Sequence, residues 1–122
     1  MSGNNEYSWN DVPGVLVSQQ IGTSEAAVYT AAANVHAVEV AHGTLCNTTS
    51  SAVTVYLSLV KAGGVPGDGT HRVISGYSLA ANDTLALKDY LAGAVLGPGD
   101  AIAAYAGTAA AVDLVITGTV HA

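Results

Sequence analysis

Charge is what this chain has least of. Only 10% of its 122 residues are charged, against about 25% in an ordinary soluble domain. Half of the residues are hydrophobic and the mean hydropathy is +0.40. A chain this apolar is expected to have part of its outward surface covered by something else. Basic residues are scarcest: Lys61, Arg72 and Lys88 are the full set, and the formal net charge is −6. Binding a nucleic acid takes several Lys or Arg side chains to displace counterions from phosphates. No nucleic-acid partner is therefore expected, and no anionic membrane surface. Cys46 is the sole cysteine, which excludes an internal disulfide and a cysteine-built metal site; it reads as a small core hydrophobe in a strand. No window approaches the ~18 consecutive apolar residues of a membrane helix. The start, MSGNNEYSWND, lacks the basic stretch and apolar run of a secretory leader. Synthesis and folding inside the producing cell are expected, as one domain with its own core.

Catalytic and metal-binding patterns are also scarce. His36 and His42 would share a side of an unbroken strand but lie about 20 Å apart, too far to share a metal. His71 and His121 read as surface or edge residues. Asp68, Asp83 and Asp100 sit in turns with Gly, Pro or Asn, where a carboxylate accepts nearby backbone N–H groups. A loop calcium at Asp68 or Asp100 stays open, although no EF-hand pattern exists. No G-x-S-x-G elbow occurs, and GGVPGDGTH lacks the G-K-[ST] ending of a phosphate loop. Asn47-Thr48-Thr49 and Asn82-Asp83-Thr84 match N-x-[ST], but without a leader they read as unmodified turns. The expectation is a protein with no enzymatic activity and no cofactor.

What is present is a period of two. Strands are expected over 26–31, 34–47, 52–61, 72–79, 84–91, 101–106 and 111–120, separated by turns such as AGGVPGDGTH and GPGD. A bulge at Gly43 would bring Val38, Val40 and Leu45 onto one buried face. In 52–61, Val53, Val55, Leu57 and Leu59 would face inward, and Thr54, Tyr56, Ser58 and Val60 outward. A helix in the Ala-rich SEAAVYTAAANVHAVEVAH is the competing reading, opposed by its β-branched residues and Asn34. The fold class is all-β: an antiparallel, jelly-roll-like sandwich of about eight short strands over 25–122, with an extended N-terminal arm over 1–24.

The stretch CNTTSSAVTVYLSLV (46–60) aligns without gaps on YAGTAAAVDLVITGT (105–119). Thr49 meets Thr108, Ala52 meets Ala111, Val53 meets Val112 and Leu57 meets Ile116. Two similar hairpins suit a two-sheet plan whose inner faces interlock, with Leu57 and Ile116 buried centrally. Outward positions then carry Tyr56, Tyr105, Asp113, Val115 and Thr117 rather than the usual Lys, Glu and Arg. The arm holds Tyr7, Trp9, Val12, Val15, Leu16 and Ile21, which it cannot bury by itself. The candidate partner-interface residues are Tyr7, Trp9, Val15, Leu16, Ile21, Tyr56, Tyr105 and Val115.

HGTLCNTTSSAVTVYLSLVKAGG, RVISGYSLAANDTLAL and LGPGDAIAAYAGTAAAVDLVITGTV together resemble small β-sandwich virion proteins of tailed bacteriophages, over roughly residues 28–120. The resemblance implies a structural role as a capsid decoration (cement), head-fibre or minor tail protein, and brings no catalytic residues with it. It implies a protein made in the host cytoplasm and located in the virion. Its partners would be the major capsid protein or other virion proteins, and its own copies in a trimer or dimer, bound through many weak contacts on a lattice. A tail-fibre component binding a host receptor or carbohydrate is the alternative, and would call for aromatic residues clustered at a loop end. A cupin-like enzyme would call for His-x-His with Glu, which the chain lacks.

Overall fold

A computed structural model describes residues 11–122 of the chain, and every regular element in that range is a strand. Side-chain alternation sets them. In β4 (Val53–Val60), Val53, Val55 and Leu57 are buried while Thr54 is exposed. The remaining strands are β1 (Asp11–Gln20), β2 (Ala26–Thr30), β3 (Ala37–Asn47), β5 (Arg72–Leu79), β6 (Thr84–Ala86), β7 (Val95–Leu96), β8 (Ala101–Ala106) and β9 (Val112–His121). The Ala-rich stretch is thus β2, a turn around Asn34 and β3, not a helix.

Two antiparallel sheets pack face to face as a β-sandwich. The larger has the order β1-β9-β3-β6, with β7 also on β3; the smaller has the order β2-β8-β4-β5. The pairing is nested. The hairpin β4–β5 is innermost, β3 takes β6 and β7, β2 takes β8, and β1 takes β9. The chain is therefore one long antiparallel ribbon folded over on itself. Leu45, Val55, Leu57, Leu87, Ile102, Leu114 and Ile116 meet between the sheets, each at 0% exposure. The expected central pair, Leu57 and Ile116, is among them.

The two poles of the sandwich differ. At one, the connections 21–25, 48–52, 80–83 and 107–111 are stitched by backbone bonds such as Thr48 N–H to Ala111 O (2.9 Å), Asn82 N–H to Thr49 O (3.0 Å) and Ala106 N–H to Gly22 O (2.9 Å). Asn47 is fully buried there. Its Nδ2 donates to the carbonyls of Ser51, Leu79 and Ala80, and its Oδ1 accepts from the N–H and hydroxyl of Thr49. The other pole holds the start of β1, the end of β9 and the connections 31–36, 61–71 and 97–100. There, Asp100 accepts from the amides of Ala62 and Gly97, both at 2.8 Å.

Several expectations are corrected. Within the described part of the expected arm, residues 11–24, the stretch 11–20 is a full edge strand on β9. Pro13 and Gly14 mask it, but an edge strand tolerates a proline, and a bulge at Leu16 breaks the alternation. The bulge in β3 falls at Ala41, between Val40 and His42, rather than at Gly43. Gly43 is instead a packing residue: an added Cβ would lie 3.1 Å from Leu87 Cδ1 and from the Val115 carbonyl. The 84–91 strand ends at Ala86. The chain then makes a tight turn, closed by Leu91 N–H to Leu87 O at 2.8 Å, which drives both leucines into the core. The two similar stretches are not hairpins. β3 and β8 lie in different sheets from β4 and β9, so each stretch is an arch that crosses between sheets. Val60, expected outward, is 3% exposed in a small separate cluster with Ala101 and Ala103, and Cys46, expected in the core, is half-buried beside Asp113 on the outer face of the larger sheet.

Candidate interaction faces

The outer face of the smaller sheet gathers a polar and aromatic cluster. Tyr56 on β4 and Tyr105 on β8 are register partners, so their side chains project together. Their rings stack with centroids 4.1 Å apart and 1° between planes. Gly76 lies beside Tyr56 in a bulge of β5 at φ +73°, a conformation that glycine adopts without strain. The guanidinium carbon of Arg72 is 4.9 Å from one ring centroid and 5.5 Å from the other, so it straddles the pair. Its Nη2 donates to Tyr105 Oη (3.2 Å) and Glu25 Oε1 (2.9 Å), and its Nη1 to Ser75 Oγ (3.3 Å).

Glu25 closes this cluster. Its side chain is 3% exposed and it accepts from Arg72, from Ser58 Oγ at 2.8 Å and from the Gly67 N–H. Burial pushes its pKa up, but the hydrogen bonds from Arg72, Ser58 and Gly67, with the Arg72 charge, outweigh it and hold the carboxyl below the usual range. The 61–71 connection folds back over the sheet at this point, which is why Ser58 is buried although it points away from the core. The cluster spends its charges on its own members. Chemically it is a rigid, internally neutralised surface bearing two half-buried phenols.

The outer face of the larger sheet is different. Val15 is 62% exposed and Val115 37%. His42, Gly43, Thr44, Val115 and Thr117 line a shallow depression of about 190 Å3 there. The register sets Thr44 beside Val115, and Thr117 between His42 and Val15. The His42 ring is held by the Gly43 N–H, which donates to its Nδ1 at 2.9 Å. No Lys or Arg occurs in any strand of this sheet, whereas Asp11, Glu39 and Asp113 do.

The candidate interface residues divide accordingly. Tyr7 and Trp9 lie outside the described residues. Val15 and Val115 share the outer face of the larger sheet, and Tyr56 and Tyr105 that of the smaller. Leu16 is partly buried against the core. Ile21 is 1% exposed and is a core residue, which corrects its assignment to an interface. Glu25, Arg72 and Gly76 are site residues that the sequence reading did not single out. The signal for them was thin: Arg72 is one of three basic residues, and its partner lies 47 positions away. The turn aspartates serve backbone amides as expected, Asp68 that of Thr70 and Asp83 that of Thr84, each at 2.9 Å. Among the described residues no three His, Cys, Asp or Glu side chains are placed to share a metal ion.

No family model, curated protein or solved structure matches the chain.

Proposed function

We propose that this chain is a non-enzymatic structural protein of a tailed-phage virion, a capsid decoration (cement) or head protein that binds the capsid lattice. The observation that carries the reading is the outer face of the larger sheet. It exposes Val15 and Val115 around a shallow depression, with no basic residue in its strands. Exposed apolar surface of this kind marks an interface. The sequence resemblance to phage β-sandwich virion proteins gives that interface its partner, the major capsid protein or another virion protein. The connectivity supports the reading further. With β6 and β7 counted as one interrupted strand, eight strands divide between two four-stranded sheets in nested antiparallel pairs around the β4–β5 hairpin, an arrangement compatible with the proposed jelly-roll plan. Assembly of copies into a trimer or dimer would leave many weak sites to act together on a lattice.

The stacked tyrosines favour a second reading, a minor tail or fibre component that binds a receptor or carbohydrate. Their place on a sheet face rather than a loop end weighs against it.

The test is co-sedimentation with undecorated capsids, with mass in solution measured by light scattering. The full chain should pellet with the shells. Removing residues 1–10, with Tyr7 and Trp9, or introducing Val15→Glu with Val115→Glu, should leave the fold intact and weaken binding at least tenfold. Removing 1–24 would not be a clean test, because it deletes β1 and takes Val17 and Ile21 from the core. Binding that is absent in the full chain, or unchanged in both variants, overturns the proposal.

A further inference from the structure

We propose that His121 is a proton-controlled clasp fastening the start of β1 to the larger sheet, so that one proton sets how firmly the first residues of β1 are held. His121 ends β9, between β1 and β3. Its Nδ1 lies 2.8 Å from Asp11 Oδ1 on β1, and its Nε2 lies 3.4 Å from Glu39 Oε1 on β3. A carboxylate only accepts, so each contact needs an N–H on the ring. A neutral imidazole has one N–H and an imidazolium has two. The ring can therefore serve both strands only when it carries the extra proton. Once that proton leaves, one nitrogen presents a lone pair to a carboxylate, and that contact turns repulsive.

The neighbouring groups support this. From β1 comes Asp11, from β3 Glu39, and from the turn before β3 His36, whose backbone N–H donates to the His121 carbonyl at 2.8 Å. No Lys or Arg in the sheet competes for the two acids. Asp11 first and Glu39 second hold the imidazolium above the usual histidine range, against a small opposing effect of burial. A folded-state pKa above the unfolded value of about 6.5 gives a contribution fully present below that value. The contribution is lost as pH rises through the folded pKa. The start of β1, from Asp11 onward, is therefore held less firmly in the same window. The inference stands whether or not that segment binds a partner.

The experiment is an NMR titration of the full chain that follows the His121 ring and the exchange protection of β1 amides within 12–15. The His121 midpoint should lie above about 6.5. Protection at the start of β1 should fall roughly two- to fivefold across that midpoint, the scale of exposed ion pairs. Asp11→Asn and Glu39→Gln should each lower the midpoint, and His121→Gln should abolish the step in protection. A midpoint at or below about 6.5 overturns the clasp. So does a step that survives in His121→Gln, or, should that variant misfold, a midpoint unmoved by both acid substitutions.

Discussion

Asn47 offers the sharpest test of what holds the closed pole together. Its amide is fully buried and engaged on every side. Two hydrogens serve the carbonyls of Ser51 (2.8 Å), Leu79 (3.0 Å) and Ala80 (3.1 Å), and the oxygen accepts from the Thr49 N–H (2.9 Å) and hydroxyl (2.8 Å). The side chain thus joins the end of β3, the 48–52 arch and the end of β5. Asn47→Ala strands these groups. The Ser51 and Thr49 atoms can recruit water, but the Leu79 carbonyl is buried with its residue. At about 1–3 kcal/mol for a buried group left unpaired, the expected loss is about 1–3 kcal/mol. That corresponds to roughly 3–15 °C in Tm for a domain of this size. Asn47→Asp is more informative. It keeps the acceptor for Thr49 but points a second oxygen at three carbonyls, so the folded state favours the protonated acid and raises its pKa. A raised carboxyl pKa costs nothing below the unfolded value of about 3.9, and a deficit grows as pH rises toward the folded value. Urea melts followed by circular dichroism at pH 4 and pH 7 would measure both effects. The variant should lie nearest the native chain in acid and farthest from it at neutrality. An Asn47→Ala loss below about 1 kcal/mol, or an Asn47→Asp deficit that does not grow with pH, refutes the reasoning.

Two further outcomes can be checked by the same melts. Leu57→Ala should cost about 2–5 kcal/mol, since the side chain is fully enclosed between the sheets; a change under about 0.5 kcal/mol would mean that the inner face is misassigned. Glu25→Gln should cost about 1–3 kcal/mol at neutral pH by leaving the Arg72 charge without its partner. Because the Glu25 pKa is depressed, its contribution is present above the unfolded value of about 4.3 and lost as pH falls through the folded one, so the gap between native chain and variant should close in acid. A gap that is constant with pH would show that the ion pair contributes nothing through its charge.

The all-β sandwich was legible because β4 and β9 alternate cleanly, and Val53, Leu57 and Ile116 fall where the alternation puts them. The rest was hidden for identifiable reasons. A period of two reports which side of its own strand a residue takes, not which sheet the strand joins, so the two similar stretches read as hairpins when they are arches. One extra residue at Leu16 and another at Ala41 reset the period inside β1 and β3. That disguised the first strand as an arm and displaced the expected bulge. Tyr56 and Tyr105 were read as outward residues, but their stacking depends on the β4–β8 register, and the Glu25–Arg72 pair on a loop folding back across 47 positions. Neither relation is local in sequence.

The nested pairing also gives the molecule a mechanical direction. Asp11 and His121 are register partners at one pole, so β1 and β9 run side by side with the start of one beside the end of the other. Their interstrand bonds lie across the strands. Tension between the two ends loads these bonds one after another, beginning at His121, and peels β1 away like a zip. Tension between the N-terminal segment and the closed pole pulls along β1 and loads its whole ladder at once, in shear. A copy held at the start of β1 and pulled from its closed pole is therefore gripped along its strong axis, whereas one tugged by both ends opens at low force.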